Sequence, residues 1–239
     1  MHGSTFRLSK MNGIIVTVLA FVLFGVSSVS AICDSSSNSK IQQCLFKSEL
    51  FNPSATLKDE TTIQTFCRDN MNNIVVCMEK HTRECANNEK ETKLMNLLVS
   101  IPDIRKGLMY MCNNISVLVE NATCFSAFGE SSFLDCLQNA VSTITNAGEP
   151  TDIKSGLDMV CRFFYSFTGC FTDPFKGDCQ PIGVIYGHVF EGVKYPYCKM
   201  NEAEREAAIR DYETDVSGTS IVHCSIVSII AVVSAAKLL

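Results

Sequence analysis

Much that would announce a familiar chemistry is missing from this sequence. No CxxC pair occurs, which removes zinc-ribbon and thioredoxin-like arrangements. No GxSxG, HExxH, GxGxxG or P-loop occurs either, so local signatures of serine hydrolases, zinc proteases, dinucleotide binders and NTPases are absent. Histidine is scarce: four in 239 residues, with His2 and His223 in the terminal segments. His81 and His188 remain, which disfavours zinc sites of mixed Cys and His ligands. Basic charge is also in deficit, with 20 Lys+Arg against 25 Asp+Glu. The acidic balance argues against nucleic acid and against charge-driven binding to anionic lipid.

The termini are rich in apolar residues. Arg7 and Lys10 precede an apolar run from Met11 to Val29, and small residues follow at Val29-Ser30-Ala31. That order describes a secretory signal peptide over residues 1–31, removed at export. At the other end, the small residues Ser217-Gly218-Thr219-Ser220 lead through a short spacer into an apolar tail. This pattern reads as a GPI-attachment signal over 218–239, with Ser217 and Gly218 as candidate attachment residues. The rival is a transmembrane helix, but the run from Ile221 to Ala236 falls short of the ~20 residues needed and contains His223. Processing at both ends would leave about 186 residues, enough for one domain or two small ones. Its 17 basic and 25 acidic residues give a net charge of −8.

Cysteine is abundant, at 13. Cys224 lies in the tail, leaving an even set of twelve: Cys33, Cys44, Cys67, Cys77, Cys85, Cys112, Cys124, Cys136, Cys161, Cys170, Cys179 and Cys198. Twelve cysteines suit six disulfides in an oxidising compartment. Two sequons, Asn114-Ile115-Ser116 and Asn121-Ala122-Thr123, point to the same secretory route and mark Asn114 and Asn121 as N-glycosylation candidates.

Apolar periodicity predicts an all-α, disulfide-stapled helical bundle over 32–200, a cysteine-rich extracellular domain. Ile63, Phe66, Cys67, Ile74, Cys77, Met78, His81 and Cys85 stripe one long helix, Asp59 to Glu84. A shorter helix covers Glu89 to Ser100. Another runs from Ile104 to about Phe125, with Asp103 as a cap and both glycans leaving one flank. Ser132 with Asp135 opens Phe133 to Asn146, and Thr151 or Asp152 opens a helix to about Thr168. A last core helix is placed at Ile182 to Val193. Asn201 to Glu213 has almost no apolar stripe, so 201–217 reads as a solvated, charged helical stalk.

Helix geometry also restricts the disulfides. Cys67 and Cys77, ten residues apart on a straight helix, stand about 15 Å apart. A disulfide needs Cα atoms within about 7 Å. Bridges must therefore tie different helices together, with connectivity left open.

Nine cysteines fall into three triplets, 67/77/85, 112/124/136 and 161/170/179. Phe66-Cys67-Arg68, Ile74-Val75-Val76-Cys77-Met78, Cys85, Cys124, Cys136-Leu137, Cys161, Cys170, Cys179 and Cys198 resemble the insect twenty-seven-kilodalton hemolymph glycoprotein family over about residues 55–200. A cysteine-rich helical domain of nematode secreted proteins is also similar. The resemblance implies a secreted, helical, disulfide-bonded glycoprotein without established catalytic residues. The C-terminal anchoring signal departs from it, because that family is thought of as soluble.

His81, near Cys77 and Cys85, could form a Cys–His catalytic pair, but a fully paired cysteine set leaves no thiol, so it reads as a packed or rim histidine. His188 has no nucleophile beside it in sequence. Phe163, Phe164, Phe167 and Phe171 with Met109, Met111 and Met159 could line a pocket for an apolar ligand, or simply form core. The leading expectation is a non-catalytic, GPI-anchored glycoprotein on the outer face of the plasma membrane, acting in recognition or adhesion. No catalytic residue, cofactor or metal is assigned. Its partners would be the membrane, through the lipid anchor, and an extracellular protein or small apolar ligand; nucleic acid is excluded. A secreted form is the alternative location. The alternative functions are a carrier or surface receptor for a small hydrophobic ligand and, third, an extracellular hydrolase.

Overall fold

The computed structural model describes residues 44, 60–86, 88–148 and 150–214, and every element among them is helical. Helix α1 (Glu60–Thr65) runs through a wide π turn (Phe66–Asn70) into α2 (Met71–Cys85). Next come α3 (Glu89–Leu98), α4 (Ile101–Asn113) and α5 (Ile115–Glu120). A 3-10 segment (Ala122–Gly129) leads to α6 (Ser131–Thr145) and then to α7 (Ile153–Thr172), the longest described helix. A short 3-10 turn (Gly177–Cys179), α8 (Gln180–Val193), α9 (Pro196–Lys199) and α10 (Glu202–Thr214) complete the described chain. The all-α, disulfide-stapled bundle is therefore as the sequence predicts. The signal peptide, Cys33, Ser217, Gly218 and the C-terminal signal lie outside the described residues.

Side-chain caps open four of the described helices, α3, α4, α7 and α10. Asn88 Oδ1 accepts from Glu91 N at 2.9 Å, satisfying one of the amides that open α3. Asp152 and Ser155 form a reciprocal capping box at α7, and Asn201 with Glu204 does the same at α10. Asp103 does not cap α4. The cap is Ser100, whose Oγ accepts from Asp103 N, and Pro102 sits in the first turn, where a missing N–H costs nothing. At α6 the N-cap position falls on Glu130, whose side chain makes no capping hydrogen bond, so the helix does not open on a Ser132/Asp135 box. The expected helix from Asp59 to Glu84 is interrupted by the π turn, whose extra residue shifts the register between buried Phe66 and buried Ile74.

The expected helix from Ile104 to Phe125 breaks twice, each time at an asparagine. Asn114 donates Nδ2–H to the Tyr110 carbonyl at 2.7 Å, and its backbone leaves the helical region at φ −120°, ψ 30°. Asn121 repeats this with the Val117 carbonyl at 2.9 Å and φ −105°, ψ 26°. A short amide side chain that competes for backbone groups favours such ends over helix interiors.

Three apolar clusters form the core. The largest joins α6, α7 and α8 around Phe133, Phe167, Phe171, Ile182 and Phe190. A second ties α1–α2 to α3 and α4 through Phe66, Ile74, Met78, Met95 and Ile104. The third joins α3, α7, α9 and α10 through Leu97, Leu157, Phe164, Tyr197, Ile209 and Tyr212. Residues 202–214, expected in a solvated stalk, are thus docked on the domain. Ile209 and Tyr212, three residues apart on one face, are buried to 5% and 3% exposure. Against α4, α8 crosses so closely that a Cβ on Gly192 would stand 2.7 Å from the Asp103 carbonyl oxygen. Glycine is what permits this approach.

Candidate functional site

Five disulfides are formed among the described residues: Cys44–Cys77, Cys67–Cys112, Cys124–Cys179, Cys136–Cys170 and Cys161–Cys198. Their Cα separations are 5.3–5.7 Å, and none lies within one helix. Ten of the twelve expected half-cystines are thereby paired; Cys33 is outside the described residues and only the backbone of Cys85 is described. Three of the bonds link the first triplet to the second or the second to the third, and the other two tie Cys44 and Cys198 to the first and third triplets. Each closes a span of 33 to 55 residues, worth about 3–4 kcal/mol by restriction of the unfolded chain.

The two sequon asparagines flank α5, one at each end. Ser116 and Thr123 are exposed, while Asn114 and Asn121 are half-buried. An N-linked sugar replaces one Nδ2 hydrogen and leaves the other, so the bonds back to Tyr110 and Val117 are compatible with modification.

The sulfurs of Cys44 and Cys77 and a ring nitrogen of His81 all lie within 4.8 Å of one another. The two sulfurs share a disulfide, so neither is a thiolate able to bind metal or attack a substrate. His81 Nδ1 is hydrogen-bonded to Glu84 Oε2 at 2.7 Å. This is a rim histidine held by its own helix. His188 is exposed and stacks on the Tyr110 ring, centroids 3.7 Å apart, across the α4–α8 crossing.

The phenylalanines considered for a ligand pocket pack on one another instead. Phe167 lies 5.2 Å from Phe163 and 5.0 Å from Phe171, centroid to centroid. Phe171 continues to Phe133 at 5.1 Å and Phe190 at 4.9 Å. Such offset and edge-on contacts are those of packed rings. Met159 joins this core, Met111 is partly buried, and Met109 is 45% exposed.

The densest polar arrangement escaped the sequence reading. Asp158, in the first half of α7, receives Lys154 Nζ at 2.8 Å and the Tyr197 hydroxyl at 3.0 Å, with Arg205 Nη1 at 3.6 Å. Lys154 also meets Glu202 at 2.9 Å, and Arg205 donates to the carbonyls of Tyr197 and Cys198. One carboxylate thus holds α7, α9 and α10 together. Hydrogen bonds to Asp158 and then Glu202 push the Lys154 ammonium up. Burial, then the bond to Asp158, pushes the Tyr197 phenol up. The only local signal was the i, i+4 pair Lys154/Asp158; the other partners are 39 to 47 residues away along the chain. Every polar group here is engaged by another, so the cluster serves as a clasp.

Comparison of the chain with protein-family models, curated proteins and solved structures finds no match.

Proposed function

We propose that the chain is a non-catalytic glycoprotein of the outer cell surface, GPI-anchored and acting in recognition or adhesion. The observation that carries this reading is the set of five disulfides, each joining different helices. Such a framework suits a domain that works outside the reducing cytosol. The sequons, whose asparagines stand at the two ends of α5, and the terminal signals fit the same route. The non-catalytic part rests on positive observations: the thiols beside His81 are spent in a disulfide, its ring nitrogen is held by Glu84, and the Asp158 cluster is satisfied internally. The cysteine-spacing resemblance to secreted hemolymph glycoproteins agrees with the extracellular, non-catalytic part alone and supplies neither an anchor nor a partner.

Treating intact cells with a GPI-specific phospholipase tests the anchor, and release of the protein is expected. Retention under conditions that release a control protein would overturn it. Peptide N-glycosidase should shift the released protein's mass by two glycans, and N114Q and N121Q should each remove one. Absence of any shift would refute the glycoprotein part.

A further inference from the structure

The position of α10 bears on how an anchored domain meets the membrane, an inference resting on the GPI reading above. The helix is built into the domain by Ile209, Tyr212 and the Arg205–Asp158 contact. Its last turn is held to α3: Lys93 Nζ lies 3.1 Å from Asp211 Oδ1, and Lys90 Nζ sits 5.4 Å from the Tyr212 ring centre. The contacts with the domain run to Tyr212, two residues before the helix end at Thr214. Between Thr214 and attachment at Ser217 or Gly218 there are only three or four residues, at most roughly 10–14 Å of extended chain. A free segment from 201 to 217 would reach roughly 60 Å.

We propose that the anchored protein has no stalk and sits directly against the outer leaflet, with the last turn of α10 and the start of α3 facing the lipid. The anchor's own glycan is then the main spacer. The net charge of −8 gives the domain no electrostatic hold on anionic lipid, so the short tether alone keeps it close. Recognition is confined to surfaces pointing away from the α10 terminus. A partner on an opposing cell must come nearly to the bilayer, whereas a partner in the same membrane is reached without extension.

The test uses the full chain on cells, with an azido amino acid replacing exposed Glu213 to carry a donor dye and an acceptor lipid dye in the outer leaflet. Strong energy transfer is expected. Inserting 15 Gly/Ser residues after Thr214 adds an r.m.s. span of about 20 Å and should clearly lower transfer. Equal, weak transfer with and without the insert, in protein the phospholipase releases, would overturn the proposal and leave the anchor standing. Failure of release beside a working control would instead remove the anchor, and this inference with it.

Discussion

Two glycines of one helix should respond to alanine with opposite signs. Both lie in α8, where Ala is favoured over Gly by up to about 1 kcal/mol on propensity alone. At Gly187 the new methyl would meet only Thr172 Cγ2 at 3.8 Å, an ordinary contact. Gly187→Ala should therefore stabilise by about 0.5–1 kcal/mol. At Gly192 the methyl would stand 2.7 Å from the Asp103 carbonyl oxygen and 3.1 Å from Gly107 Cα. Both obstacles are backbone, so α4 and α8 must separate. Gly192 is also next to the end of α8, where the propensity gain is smaller. Overpacking of this kind costs about 1–3 kcal/mol, which exceeds the gain. For a domain of this size, 1 kcal/mol moves Tm by roughly 2–4 °C. Thermal unfolding of the oxidised domain, followed by circular dichroism, should place Gly187→Ala slightly above wild type and Gly192→Ala several degrees below. If Gly192→Ala melts at or above Gly187→Ala, the close crossing is not as described and the reasoning fails.

Asp158→Asn should cost roughly 1–2 kcal/mol, because it removes the charge shared by Lys154 and Arg205 and weakens the hydrogen bond from Tyr197; an unchanged denaturation midpoint would refute the clasp. Asp152→Ala should cost about 1 kcal/mol at pH 7 by loss of the α7 cap. The hydrogen bond from Ser155 N holds the Asp152 carboxyl below the usual carboxylate range. Its contribution is therefore present above the unfolded value of about 4 and fades as pH falls through the lower folded value. The gap between variant and wild type should close below about pH 4, and a constant gap would contradict this cause. With ten cysteines in five bonds and Cys224 removed in the proposed C-terminal signal, a Cys33–Cys85 bond is the expected sixth pairing. A non-reduced digest should give that linked peptide pair, whereas alkylation of either residue without prior reduction would rule it out.

Much of the secondary structure was legible because its causes are short-range. The helix start at Asp152 and the apolar positions Phe163, Phe164, Phe167 and Phe171 are readable within one or two helical turns. The same geometry excluded disulfides within a helix, and none of the five is one. The breaks at Asn114 and Asn121 were harder, since an asparagine inside an apolar period signals an end only if its amide turns back on the preceding turn.

What the chain settled by itself was its helical character and that its disulfides join different helices. Which cysteines meet, that Asp158 gathers groups 39 to 47 residues away, and that α10 lies on the domain were decided only in three dimensions. Periodicity measures how much apolar surface a helix offers, and α10 offers little. Two side chains, Ile209 and Tyr212, dock it because α3, α7 and α9 together form the site that receives them, and a place shared by three helices has no signature in the sequence of any one.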